Sequence, residues 1–127
     1  MVGLNKVMLI GTVGHDPETR HSSGGIPVTS FSLGVERIWV NAEGERRETI
    51  DWFNVVTWRR LAEICGRYLS KGSRVYVEGR LETRSWEDAL GQRHYRTEVV
   101  ASDMIMLDPP ASREDPGGPL GDGGPSI

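Results

Sequence analysis

A single cysteine, Cys65, stands in 127 residues. It has no partner for an internal disulfide and no second thiol at metal-ligand spacing, which excludes a redox framework and a zinc module and leaves a buried small hydrophobe. No apolar run approaches the ~18 residues needed to cross a bilayer. The opening Met1-Val2-Gly3-Leu4-Asn5-Lys6 passes directly into a strand-like segment with no signal-peptide core. A soluble, cytoplasmic chain is expected, without a membrane partner. The three histidines, His15, His21 and His94, fit no zinc spacing, and no nucleophile elbow is present. Gly11-Thr12-Val13-Gly14 lacks the Gly-Lys-Ser/Thr ending of a phosphate loop and reads as a turn after a strand. Neither catalysis nor a cofactor is expected. A basic excess is also missing: the net charge is −3 and the pI about 5.6, which fails the usual test for a nucleic-acid binder.

Distribution matters more than the sum. Up to Asp108 there are 14 Lys and Arg against 15 Asp and Glu, a balance that still permits a basic stripe on one face. Composition changes at Asp108. Residues 109–127 hold five Pro and five Gly, one basic residue and no aromatic, too little to build a core. The expected organisation is one folded domain over 1–108 and a disordered Gly/Pro-rich tail over 109–127.

Within the domain, strand-like runs occur at Lys6 to Val13, Val28 to Trp39, Thr49 to Trp58, Arg74 to Trp86 and Tyr95 to Leu107, separated by Gly-, Asp- or Pro-containing breaks. Between the third and fourth runs, Leu61, Ile64, Cys65, Tyr68 and Leu69 follow the spacing of an amphipathic helix, with Lys71-Gly72 as its stop signal. Five strands with one helix between the third and fourth is the order of an OB-fold, an all-β Greek-key barrel whose open face and loops commonly bind oligonucleotides.

Four tryptophans, Trp39, Trp52, Trp58 and Trp86, are many for so short a chain. Indole offers a broad face on which any base can stack; core packing is the alternative use. On the fourth run, Val75, Val77 and Leu81 share one side, and Trp86 shares the other with Arg74, Tyr76, Glu78, Arg80 and Arg84. Barring a bulge, Trp86 faces solvent among cations, which suits stacking combined with phosphate contact. Trp52 and Trp58 share parity with Asn54 and Val56, but Phe53 and Val55 on the other side are equally apolar, so periodicity leaves their side open. Trp39 shares parity with Phe31, Leu33 and Val35, which favours core, yet it ends its strand after Arg37 and before a polar loop. The segment Asn41 to Glu48 reads as a flexible hairpin connection from which Arg46 and Arg47 could reach phosphates, a solvated turn being the plainer alternative. Arg59 and Arg60 open the helix, where cations oppose the helix dipole and so favour an external anion.

Several segments in one order carry a resemblance. They are Asn5-Lys6-Val7-Met8-Leu9-Ile10-Gly11, Gly14-His15-Asp16-Pro17-Glu18-Thr19-Arg20, Tyr68-Leu69-Ser70-Lys71-Gly72-Ser73, Val75-Tyr76-Val77-Glu78-Gly79 and Thr97-Glu98-Val99-Val100. Over about residues 3 to 107 the chain resembles the bacterial single-stranded DNA-binding protein family. The resemblance implies an OB-fold that assembles as a homotetramer and wraps single-stranded DNA without strong sequence preference, in replication, recombination and repair. It places the family's stacking aromatics on Trp39, Trp52, Trp58 and Trp86, with Trp58 where many relatives carry Phe. It places phosphate-contacting cations on Lys6, Arg20, Arg47, Arg60, Lys71 and Arg84, each of which could instead be a solvated surface cation.

Such proteins usually end in an acidic run with a short apolar tip that recruits replication and repair proteins. This chain ends Gly121-Asp122-Gly123-Gly124-Pro125-Ser126-Ile127, so the resemblance does not carry that hook over. Two other non-enzymatic readings share the fold. A primosome-type OB protein, an assembly platform on DNA, tends to be a short dimer without the tail or the full aromatic set. An RNA-binding OB module would prefer RNA, and nothing in the sequence reads a 2′-hydroxyl.

Overall fold

The structure, a computed structural model, describes residues 2–108. The expected tail at 109–127 lies outside the described residues. Six strands and one helix follow in the order β1 (Val7–Val13), β2 (Glu18–His21), β3 (Pro27–Val40), β4 (Arg46–Trp58), α1 (Arg59–Tyr68), β5 (Arg74–Glu87) and β6 (Arg93–Met106).

The five long strands close on themselves. β1 pairs antiparallel with β5, β5 with β6, and β3 with β4. A short parallel pairing of Val55 and Val56 with Val99 and Val100 joins β4 to β6. Thr12 and Val13 bend across to Gly34 and Leu33 and complete the ring. This is the OB-fold barrel, with its helix between the third and fourth long strands.

Strand alternation fills the interior. Val13, Phe31, Leu33, Val55, Val75, Val77 and Val99 point inward and are almost fully buried, while Ser30, Ser32, Asn54 and Val56 alternate with them on the outer face. α1 closes one end with Ala62, Cys65 and Leu69. The expected helix stripe is corrected here: its buried line runs through Ala62, Cys65 and Leu69, so Ala62 is buried and Tyr68, off that line, is 56% exposed. Buried hydroxyls fix the helix. Thr29 Oγ1 donates to the Ala62 carbonyl at 2.7 Å, and Thr57 Oγ1 donates to the Thr29 carbonyl at 2.8 Å. Gly66 lets the helix backbone approach Thr19, where a Cβ would collide with that side chain.

Other features depart from the sequence reading: Gly11, Thr12 and Val13, read as part of a turn, are paired residues of β1. Glu18–His21 forms a short strand on the edge of β3, unmarked in the sequence because all four residues are exposed and lack apolar alternation. The connection at Asn41 to Glu48 is shorter than expected, since pairing continues to Val40 and Arg46. Asn41 closes the remaining turn, its Oδ1 accepting the Glu43 and Glu45 amides, with Gly44 at φ +80°. β3 and β4 therefore form a long, twisted arm projecting beyond the barrel.

Candidate nucleic-acid interface

Outward-facing residues of β3, β4, β5 and β6, together with β2, surround an open groove of about 530 Å³. Val28, Ser30, Ser32, Asn54 and Val56 make its small, weakly polar floor; Trp58 stands at one side, and Arg20, Arg84 and Arg96 supply cations. Glu18, Glu82 and Glu98 also line it, with His15 and His21.

The acids are engaged. Glu18 meets Arg20 at 3.5 Å and Glu82 meets Arg80 at 3.1 Å. Glu98, whose side chain is 9% exposed, lies 3.9 Å from both Arg84 and Arg96. Arg84 and Arg96 are directly opposed on β5 and β6, an arrangement that repels unless an anion sits between. One buried carboxylate balances one of the two charges, so the pair keeps a positive surplus facing the groove.

Trp58 is 45% exposed and occupies the N-cap position of α1, without a side-chain cap hydrogen bond. The next residue, Arg59, is the only described non-glycine with a left-handed backbone, at φ +59°. That conformation costs about 1–3 kcal/mol and turns the chain sharply from strand to helix. Arg60 is exposed on the first helical turn, which contains no acid.

Trp52, 59% exposed, lies on the same outer face of β4, over the glycine backbone of residues 14 and 34. The open side was therefore the outer one for both Trp52 and Trp58, with Phe53, Val55 and Thr57 turned inward. Trp86 is 41% exposed on the outer face of β5. Its ring stacks on His94, with centroids 5.6 Å apart, and Arg84 Cζ lies 5.6 Å from its centroid. A bulge does occur nearby, at the Glu78/Gly79 step of the β5–β6 ladder, but Ser102 on β6 is the extra residue and β5 alternation continues.

Trp39 corrects its local reading. It keeps the inward parity of Phe31 and Leu33, yet it is 41% exposed, because β3 has left the barrel by then and has no core to cover. Its indole N–H donates to Thr49 Oγ1 at 2.9 Å. Arg47 is its direct cross-strand partner and pairs with Glu45 at 2.6 Å. On the same side of the arm Arg37 bonds Asp51 at 2.8 Å, which holds the Asp51 carboxyl below its usual range.

The remaining cations lie apart from the groove. The Lys71 amide donates to Asp16 Oδ1 at 2.8 Å, tying the loop after α1 to the loop after β1, with its side chain exposed. Lys6 sits on the outer face of β1 and reaches Glu78 at 3.1 Å, beside exposed Met8, Ile10 and Ile105. Glu78 also accepts the Tyr76 hydroxyl at 2.7 Å, and that bond, then Lys6, holds its carboxyl low. Arg20 and Arg84 thus join Trp58 in the groove, and Trp86 adjoins them. Arg96 and His94 escaped the sequence reading; their even spacing with Glu98, opposite the arginine side of β5, was the available signal.

A closed five-stranded barrel with exposed indoles and arginines around a groove defines an oligonucleotide-binding module. The chain belongs to the single-strand binding protein family, whose model matches residues 4–107. It is similar to the single-stranded DNA-binding protein 1 of Chlorobaculum tepidum, at 48% identity over 83% of this chain and 65% of that protein. It is also similar to the single-stranded DNA-binding protein of Caldanaerobacter subterraneus subsp. tengcongensis, at 50% identity over 84% of this chain and 69% of that one. Among solved structures, the Plasmodium falciparum SSB in complex with ssDNA superposes with TM-score 0.80 at 37% identity, covering 85% of this chain and 98% of the other. A deletion mutant of the single-stranded DNA binding protein from Thermus aquaticus superposes with TM-score 0.76 at 35% identity, covering 84% and 51%. No helix among the described residues is long and apolar enough to cross a membrane.

Proposed function

We propose that this chain binds and protects single-stranded DNA without reading its sequence, as a non-enzymatic component of replication, recombination and repair. The observation that carries this reading is Trp58 in the groove that holds Arg20, Arg84 and Arg96, with Trp86 against Arg84 and Trp52 on the same outer face of β4 as Trp58. Bases stack on the indoles whatever their identity, and the arginines take phosphates. Stacking is worth roughly 1–3 kcal/mol per base. Trp39 and Arg47 take DNA that wraps to the other face of the arm; Arg60, Lys71 and Lys6 serve it from the helix and loop surfaces. Relatives described as binding single strands support the same reading.

The assembly is a homotetramer in this reading. β1 pairs with β5 along Val7–Thr12 and meets β3 only at Thr12 and Val13, so most of its other edge is unpaired within the chain. On the outer face of the same sheet, Met8 and Ile10 on β1 and Ile105 on β6, across β5, are 64%, 49% and 55% exposed, an apolar surface that a second copy would cover.

Titration of intrinsic tryptophan fluorescence with an oligo-thymidine strand, the matching duplex and a salt series tests the binding. Strong quenching by the single strand, little by the duplex and affinity that falls with salt are expected. Absence of binding by an independent assay would mean that only the fold is shared. Light scattering of the full chain tests the assembly, with four copies expected and two counting against it.

A further inference from the structure

Trp86 and His94 face each other directly across the β5–β6 ladder, with rings 5.6 Å apart and 24° from parallel. The imidazole is fixed in turn. Its Nε2 lies 2.7 Å from Asp88 Oδ2, and the N–H donates there in either the Nε2-protonated neutral form or the imidazolium. Asp88 is itself held by the hairpin turn: its other oxygen accepts the amides of Leu90 and Gln92, both at 2.9 Å. Its own amide donates to the Gln92 carbonyl at 2.9 Å, and Gly91 takes the positive φ of +81° that the turn requires. The turn fixes Asp88, Asp88 orients His94, and His94 lies against the indole.

An exposed indole on a hairpin would otherwise sample several rotamers, and the ordering cost would fall on the binding step. We propose that His94 is a positioning residue for Trp86, an aromatic backing that holds the indole in the orientation in which it stacks on a base. The proposal rests on Trp86 contacting DNA, as put forward above. Arg84, two residues earlier on the same strand face, then meets the phosphate beside that base. Arg93 is on the reverse face with Ser85 and Glu87 and has no part in the arrangement.

The experiment is a double-mutant cycle on oligo-thymidine affinity in the full chain, with thermal melting as a folding control. An aromatic pair of this kind is worth a factor of about 2 to 12. His94→Ala should weaken binding by that factor, and His94→Phe, which keeps a ring, should recover much of the loss. In a Trp86→Ala background, His94→Ala should cost nothing further. The NMR indole N–H signal of Trp86, assigned by its loss in Trp86→Phe, should move in His94→Ala and return towards its parental position in His94→Phe. Parental or tighter binding by His94→Ala, or losses that simply add, would overturn the proposal. If Trp86→Ala itself leaves affinity unchanged, the contact of Trp86 with DNA has failed instead.

Discussion

The indole of Trp52 lies over the backbone of Gly34, its direct partner in the β3–β4 ladder, so closely that a Cβ at residue 34 would stand 2.9 Å from the ring. A Cβ at Gly14 would meet the same ring at 2.6 Å. One strand and a loop are thus kept bare so that one exposed indole can sit against them. Gly34→Ala should lift the ring from this seat with only a modest fall in melting temperature, since Trp52 is free to move outward. Binding to oligo-thymidine and to mixed-sequence strands should weaken alike, by up to the ~1–3 kcal/mol expected for Trp52→Ala. Adding Gly34→Ala to Trp52→Ala should change little. Equal binding by the parent and Gly34→Ala would show that the seat does not matter.

The glycine seat could not be read from the sequence, where Gly14 read as part of a turn and Gly34 as an interior position of the second strand-like run. The alternation of Val75, Val77 and Leu81 did assign Trp86 correctly, because only one side of β5 is apolar. It failed for Trp52 and Trp58 because both sides of β4 carry large apolar groups, one for the core and one for the outer face. Trp39 shows a different limit. Its parity was inward, but parity says nothing of where a barrel ends and an arm begins. Family resemblance, built on many short segments, implied a stacking role for all four tryptophans where periodicity was silent. Arg84 was placed among the candidates by β5 alternation and by the resemblance, whereas setting Arg96 opposite it needed the β5–β6 register, a long-range property.

That register makes a prediction about salt. Each phosphate contact on a single strand contributes about 0.7 to the slope of log affinity against log salt. Arg84→Gln and Arg96→Gln should each lower the slope by about that amount and weaken binding most at low salt. Arg93→Gln, on the reverse face of the same hairpin, should leave it alone. Fluorescence titrations at four or five salt concentrations measure this, and an unchanged slope for Arg96→Gln would remove that residue from the DNA path.

Acid should loosen three surface ties together. Asp51 is held low by its bond from Arg37, Glu78 by Tyr76 and then Lys6, and Asp88 by His94 and then the Gln92 amide. A carboxyl whose folded pKa lies below its unfolded value, about 4, stabilises the fold above that pH. The contribution is lost as pH falls through the folded value. The melting temperature should therefore drop below pH ~4, and added salt should blunt the Asp51 and Glu78 parts. Glu78→Gln should melt below the parent at neutral pH, with the gap closing as the pH falls through the folded value of Glu78. A gap that persists in acid would mean that Glu78 acts through packing and not through its charge.

Cys65 titrates in the opposite sense. Its thiol is fully buried beneath α1, and desolvation, partly offset by Thr57, pushes its pKa up to about 11. The unfolded thiol ionises near 8.5, so folding favours the neutral form, and this contribution erodes as pH rises from there towards 11. Because the thiolate is the nucleophile, alkylation of the folded protein by iodoacetamide at neutral to mildly alkaline pH should proceed only through unfolding. Its rate should track the fraction unfolded when denaturant is raised, and single-stranded DNA should slow it by favouring the folded state. Rapid labelling without denaturant would show instead that α1 lifts from the barrel end in the native protein. Thr29→Val, which removes the hydroxyl donated to Ala62, should speed labelling if the helix is held as described.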